Sequence, residues 1–349
     1  MEKKGISRKK GTKIRKGKKV LSWIYFDHQG KAITENLVID RCNKLVLPPA
    51  WENVWISEDP ESPLQATGRD AKGRLQYRYH EDWTKARAIA KFDKMIPFAS
   101  ILPVIRRKVD GDMMLKGMPK DKVVALVIKL MDIYHIRVGN DEYARKNKSY
   151  GLTTLKEGHI TIDRSASAEG KLDAIFEFTG KSGKEWRRRI WEDDLALLIE
   201  ASAEVGGRSK SQDLFRYEDA NGRDFDIKSN HINEYLDAST PANQKVTAKD
   251  FRTWAATWKC ASRLAEQIDP DTATARKKIL TQVIKTVSSD LGNTPAVCRS
   301  SYIHPCVISA WEDGRFRKEW NSVNKASKTK RLSKEETATL AFIKQRLNS

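Results

Sequence analysis

The spacing of apolar residues changes once along this chain, near Asp82, and that change limits the folds open to it. Before it, short runs alternate in the strand period: Trp23–Phe26, Asn53–Ser57 and Gln76–Tyr79. Turn-forming stretches separate them at Asp27–Lys31, Leu47–Trp51 and Gly68–Gly73. After it, apolar residues recur at three- and four-residue spacing over Trp83–Phe98, Asp121–Tyr134, Trp191–Ala203, His231–Asp237, Ala248–Ile268 and Ala273–Leu291. Three short strand-like runs interrupt these helices, at His159–Ile162, Ile175–Phe178 and Glu185–Ile190, and a basic helix over Lys334–Leu347 closes the chain. The expected fold is α+β. Residues 20–82 form a small N-terminal antiparallel β-domain, and residues 83–349 a larger, mainly helical domain with a short three-stranded sheet.

Charge narrows the partner. Lys and Arg number 65 against 46 Asp and Glu, a net charge of +19 with pI near 9.6. The excess runs through the whole folded chain, which suits a nucleic acid better than a membrane surface. About half of it lies in residues 1–19, where ten Lys/Arg accompany one Glu. That segment reads as a basic, disordered tail, one that would strengthen DNA binding in a salt-dependent way. No apolar run is long enough for a signal peptide or a membrane span, so the expectation is a soluble, cytoplasmic protein. Four cysteines, Cys42, Cys260, Cys298 and Cys306, show no CxxC pairing, and six histidines are scattered. This favours a reducing compartment and offers no metal site.

Several polar residues stand out, each with an ordinary reading. Arg137, in IRVGN, follows the apolar helix Asp121–Tyr134, where a cation pairs with the carboxyl end and Gly139 fits a helix end. Lys181, in FTGKSGK, occupies a hairpin turn between two strands. It reads either as a solvated lysine or as a proton donor able to reach into a cleft. The segment is no Walker loop, because GKSGK lacks the four-residue gap. Arg252, in KDFRTW, opens a helix and alone would be a surface arginine. Asn293 follows Gly292 at a helix end, as ordinary capping residues do, and Tyr302 falls one to two turns beyond Pro295, where a tyrosine is commonly core.

Taken in order, these residues make a pattern, R…GK…KxxRT…GNT…Y, with Lys249 three positions before Arg252. It resembles the catalytic domain shared by type IB DNA topoisomerases and tyrosine recombinases. The N-terminal segments LVLPPAWENVWIS and ATGRDAKGRLQYRYH are similar to the β-domain of the poxvirus-like and bacterial type IB topoisomerases. The resemblance covers roughly residues 20–305. It implies a catalytic set of Arg137, Lys181, Arg252, Asn293 and Tyr302, and a clamp closing around double-stranded DNA. It also implies DNA contacts from Gln76, Tyr77 and Tyr79, with Arg69, Lys72, Arg74 and Arg78 as phosphate contacts. Lys249 is the topoisomerase-like choice where recombinases usually carry His, and Asn293 stands where the poxvirus enzymes have His. A tyrosine recombinase using the same chemistry is the alternative.

The residue types suit the reaction that the resemblance implies. A phenol titrates near pH 10, so a tyrosine nucleophile needs cations around it. Two guanidiniums and an amide can hold the charged oxygens of a phosphodiester transition state, and a lysine can protonate the leaving 5′-oxygen. Cations from the protein replace a metal in this scheme. Retained phosphodiester energy makes ATP unnecessary. The expectation is a monomer that needs no cofactor and no obligatory protein partner, nucleoid-associated if bacterial.

Overall fold

The computed structural model describes residues 4–15, 18–163, 173–323 and 330–348. It divides into two compact units, Met1–Lys91 and Phe92–Ser349. The first is a five-stranded antiparallel sheet built from β1 (Ile6–Arg15), β2 (Lys18–Phe26), β3 (Glu52–Ile56), β4 (Leu64–Arg69) and β5 (Leu75–Tyr79), in the order β2-β1-β3-β4-β5. A helix, α1 (Asn36–Lys44), lies between β2 and β3 in sequence. Alternation along each strand gives the sheet one apolar face. Ile6, Tyr25, Val54, Ile56 and Ala66 are buried there, in one core with Cys42 of α1 and Leu47. The opposite face carries a row in register across β1, β3, β4 and β5: Ser7, Trp55, Thr67 and Tyr77.

Two expectations for this unit need correction. Residues 1–19 are not a disordered tail throughout, because Ile6–Arg15 is a strand paired with β2 from Ser7↔Phe26 to Arg15↔Lys18. A count of charges missed it because lysines on a strand keep their heads in water while the backbone pairs, and Val20–Phe26 supplies a β-branched and aromatic partner. Residues 1–3, 16 and 17 of that segment lie outside the described residues. Residues 20–80 also contain α1, where only strands and turns were expected. Its sole fully buried residue is Cys42, so its apolar stripe is too narrow to announce a helix.

The boundary between the units falls at Lys91, not at 82. The single helix expected over Trp83–Phe98 is two, α2 (Glu81–Asp93) and α3 (Met95–Asp112), separated at Lys94. The second unit continues with α4 (Lys120–Tyr134), α5 (Asp141–Asn147), β6 (Ile160–Asp163), β7 (Asp173–Thr179), β8 (Glu185–Ile190) and α6 (Asp193–Glu204). A small hairpin, β9 (Arg216–Glu218) and β10 (Asp224–Asp226), precedes α7 (Ser229–Ala238). The chain ends with α8 (Ala248–Ala265), α9 (Ala273–Asp290), α10 (Pro295–Ser301), α11 (Pro305–Glu312), α12 (Phe316–Ser322) and α13 (Lys334–Leu347). The expected three-stranded sheet is β6-β7-β8, antiparallel throughout.

The core of this unit is built on α4 and α8. Val123–Ile128, Leu130 and Met131 are all buried, so α4 is apolar around most of its circumference, as a central helix must be. It packs on α3, α7 and α8. Helix α13 is fastened to this centre by a buried ionic cluster. Arg106 of α3 donates to Asp132 of α4 at 2.7 Å and to Glu336 of α13 at 2.8 Å, and Trp254 of α8 donates to Glu336 at 2.9 Å.

Candidate active site

Each candidate catalytic residue sits at the end of an element fixed by local chemistry. Helix α4 ends at His135 in a left-handed conformation, φ 56°, and not at Gly139, which lies in the loop beyond. That loop is held by the turn that follows Gly151, where Leu152 N–H donates to Arg137 O at 2.8 Å and Thr153 N–H to Val138 O at 2.6 Å. A Cβ on Gly151 would meet Gly139 N at 2.6 Å, so only glycine permits this approach. Arg137 is thereby aimed from a rigid loop.

Arg252 lies in the first turns of α8, whose start is set by Asp250. That carboxylate accepts from the Thr247 N–H at 2.7 Å and from its hydroxyl at 2.9 Å. Arg252 is 3% exposed and not the surface arginine its sequence context suggested. Its guanidinium donates to the carbonyl of His135 and, at 2.6 Å, to that of Leu291. One cation therefore ties the end of α4 to the end of α9.

Helix α9 ends in a Schellman motif. Asn293 N–H returns to Ser288 O at 2.8 Å, and Gly292 N–H returns to Ser289 O at 3.1 Å with φ 59° at Gly292. The capping role expected of Gly292 and Asn293 is met, but Asn293 is also 5% exposed and engaged. Its Oδ1 accepts from Arg137 Nη2 at 2.5 Å. Tyr302 terminates α10, started by Pro295, and rings the other side of the site. Its ring centroid lies 5.7 Å from the Arg252 guanidinium carbon, and its hydroxyl is a hydrogen-bond partner of both Arg137 and Arg252. Lys181 is exposed at the tip between β7 and β8. It lines, with Arg137, Lys249, Arg252 and Tyr302, one cleft of about 340 Å³. Asn293 reaches this group through Arg137.

The electrostatics follow from burial. Burial pulls the Arg252 guanidinium down to about 10, and the neighbouring Arg137 adds to the effect while Tyr302 opposes it. Arg137 is also lowered by burial and raised by Tyr302. At about 10, Arg252 remains a cation at neutral pH. Among the described residues, Asn293 Nδ2 and Arg252 Nε are buried donors with no acceptor. Buried donors are nearly always satisfied, so two orphans in one cationic site mark a place for an oxyanion.

Supporting residues escaped sequence reasoning. The Trp186 indole fills the space beside Gly292, where a Cβ would come within 2.2 Å of it, and beside Gly180, where the distance would be 2.7 Å. Lys184 Nζ donates to Asn293 O at 2.6 Å. The hairpin carrying Lys181 is thus docked on the loop carrying Asn293. The Thr257 hydroxyl lies 3.1 Å from Tyr302 O and accepts from His304 N–H at 3.0 Å, which fixes the tyrosine's backbone to α8. The two glycines bracketing Trp186 were visible in the sequence, whereas nothing there points to Thr257.

The family model for the eukaryotic DNA topoisomerase I catalytic core matches residues 80–329, and that for the bacterial DNA topoisomerase IB N-terminal domain matches residues 22–70. The chain is 31% identical over 294 residues to DNA topoisomerase 1B of Acanthamoeba polyphaga mimivirus, covering 83% of this chain and 84% of the relative. The chain belongs to the type IB DNA topoisomerases. DNA topoisomerase 1B of vaccinia virus is 22% identical over 278 residues, 76% of this chain and 77% of its own. Membership sets aside the recombinase alternative, and the α+β fold is the one expected of this family. Among the described residues, no helix is long and apolar enough to cross a membrane, and no group of His, Cys, Asp and Glu could hold a metal ion.

The sequence-predicted DNA contacts lie on the edge strand β5, the turn before it and, for Arg69, the end of β4. Register places Tyr77, Tyr79 and Arg69 on the face of Ser7 and Trp55, and Gln76 and Arg78 on the other. Tyr77 and Tyr79 are exposed, not a buried strand face, and they stack in a row with Trp83. Gln76 Nε2 donates to Asp70 at 2.9 Å, as does Arg74 at 2.8 Å, and Arg69 donates to Gly73 O at 2.8 Å. Lys72 sits in the same turn, its N–H bonded to Asp70.

Proposed function

We propose that this protein relaxes supercoiled duplex DNA by cutting and resealing one strand at Tyr302, acting as a cytoplasmic monomer without ATP or metal. The observation that carries this reading is the pair of orphaned buried donors, Asn293 Nδ2 and Arg252 Nε, beside a tyrosine whose hydroxyl engages both arginines. In the reaction, Tyr302 Oη gives up its proton to solvent, its developing charge offset by the two guanidiniums, and attacks the phosphorus as the bond to the 5′-oxygen breaks. Lys181 Nζ gives its proton to that oxygen, so the leaving strand ends in a hydroxyl. The product is a 3′-phosphotyrosyl enzyme, which keeps the energy of the phosphodiester for resealing.

Arg137, Arg252 and Asn293 supply donors to the non-bridging oxygens, whose charge grows in the transition state. Their orientation is already fixed by carbonyls of His135, Leu291 and Gly292, so little reorganisation accompanies the reaction. Asn293 is the neutral member, a donor without charge. Arg69, Lys72, Arg74, Tyr77 and Tyr79 hold the duplex through phosphates, and Gln76 and Arg78 extend the contact around β5. While the strand is open, torque turns the downstream duplex about the intact strand. The test is direct. Purified protein relaxes a supercoiled plasmid in EDTA without ATP, and Tyr302→Phe abolishes relaxation while leaving DNA binding intact. Full relaxation by that variant would remove Tyr302 from the mechanism.

A further inference from the structure

We propose that Lys184 is a positioning residue for strand cleavage, the side chain that holds the turn carrying Lys181 over the cleft. This role rests on the catalytic reading above, in which Lys181 protonates the leaving 5′-oxygen, and accounts for how that ammonium is kept in place. Lys181 opens a single tight turn, Lys181–Gly183, between β7 and β8. Among the described residues, its side chain makes no hydrogen bond or ion pair, so the backbone of the turn sets its reach. That turn is closed at Lys184. Gly180 N–H donates to Lys184 O at 2.7 Å, and Gly183, at φ 72°, donates to Gly180 O at 3.2 Å. From the same residue, half-buried, Nζ donates to Asn293 O at 2.6 Å, a charge-assisted bond. Lys184 thus grips the Lys181 turn with its backbone and the Asn293 loop with its side chain.

The contact completes a ring of three loops around the cleft. At the base of the hairpin, Thr179 O accepts from Tyr150 N–H at 2.9 Å, and two residues on, Leu152 N–H donates to Arg137 O at 2.8 Å. Arg137 Nη2 then reaches Asn293 Oδ1 at 2.5 Å, and Lys184 leads from Asn293 back to the turn. Two of these links run through side chains, and Arg137 belongs to the proposed chemistry. Lys184 is therefore the link that can be cut without touching a reacting group. Its two ends are unequal. Asn293 stays fixed without it, because its N–H is bonded to Ser288 O at 2.8 Å, its Oδ1 to Arg137, and Leu291 O to Arg252 at 2.6 Å. On the other side, Trp186 wedges the root of the turn at Gly180 and leaves the tip to Lys184. Loss of the Lys184 ammonium therefore loosens the acid and spares the oxyanion donors. A displacement of about 1 Å in a reacting group costs on the order of a hundredfold in rate.

The experiment is single-turnover cleavage by the full chain at saturating DNA, on two duplexes that differ in one atom, the 5′-bridging oxygen at the cut or a sulfur in its place. A thiol ionises near pH 8.5, far below an alcohol, so sulfur departs as a thiolate with no proton donor. On the oxygen duplex, Lys184→Met is about tenfold to a hundredfold slower than wild type, while Lys184→Arg, which keeps a charged donor for Asn293 O, stays within about fivefold. On the sulfur duplex, Lys184→Met returns to within about threefold of wild type. A defect of one size on both duplexes would mean that Asn293 or the fold carries the effect, and it overturns the positioning role. An unchanged rate on the oxygen duplex also overturns it, leaving Lys184 a phosphate contact or a surface lysine. Lys184→Arg as slow as Lys184→Met denies the carbonyl contact. Lys181→Ala, run in parallel, separates the two readings. Sulfur that restores Lys181→Ala and not Lys184→Met refutes the positioning role alone. Sulfur that fails to restore Lys181→Ala refutes the catalytic reading at its acid, and the role of Lys184 falls with it.

Discussion

Replacing Asn293 by Asp would keep the oxygen that accepts from Arg137 and exchange the orphaned Nδ2 donor for a second, negatively charged oxygen. Asn293→Asp is therefore expected to slow strand cleavage by about a hundredfold to a thousandfold, while Asn293→His, which restores a ring N–H donor, stays within about tenfold of wild type. Single-turnover cleavage of a suicide duplex measures both, and equal rates for the two variants would deny the donor role. Acid should act through two other buried residues. Burial, chiefly, pulls His135 down to about 3 and His304 to about 4. The unfolded chain binds protons near pH 6.5 that the folded chain refuses, so stability is full above pH 6.5 and falls as pH drops toward 4. With both groups the loss approaches about 2.7 kcal/mol per pH unit, and His304→Asn, which can still cap α11, roughly halves it. Urea unfolding between pH 7 and pH 4.5 reads these slopes. At this scale the sequence showed the residue types and their order. It did not show burial, which makes Arg252 a structural tie as well as the proposed oxyanion donor, nor the Trp186 wedge, because both depend on segments far apart in the chain.

Helix α13 shows how an element remote from the chemistry holds it in place. Glu336, 3% exposed, accepts from Arg106, Trp254 and the N–H of Ser333, linking α13 to α3 and α8, while Arg106 also reaches Asp132 of α4. Glu336→Ala leaves the Arg106 and Trp254 donors short of an acceptor in a buried site, which costs about 3 kcal/mol or more. Denaturant unfolding should show that loss. A drop below about 1 kcal/mol would mean that the cluster does not bind α13 to the centre. The helices with strong apolar periodicity, α4, α8 and α9, were legible within a few residues, and so were β7 and β8. Less legible were α1 and β1. One has a narrow apolar stripe, and the other is a strand whose charged residues hid its pairing with the apolar run after it.

For the whole molecule, the switch of periodicity near Asp82 announced two units, and the family matches over residues 22–70 and 80–329 follow the same division. The compact units divide at Lys91 because α2 is counted with the sheet, where Trp83 stacks on Tyr79. Neither unit alone explains the function proposed. The helical unit holds the cleft with Tyr302, and the sheet unit holds the exposed Tyr77 and Tyr79. The central claim concerns a covalent bond, and one measurement reaches it. Protein reacting in EDTA with a duplex labelled at the 5′ end of the cleaved strand is quenched with denaturant, digested, and the DNA-linked peptide sequenced. The account predicts that the labelled strand is joined to Tyr302 through its new 3′-phosphate, with a free 5′-hydroxyl on the departing strand. No adduct, or an adduct on another residue, would contradict it.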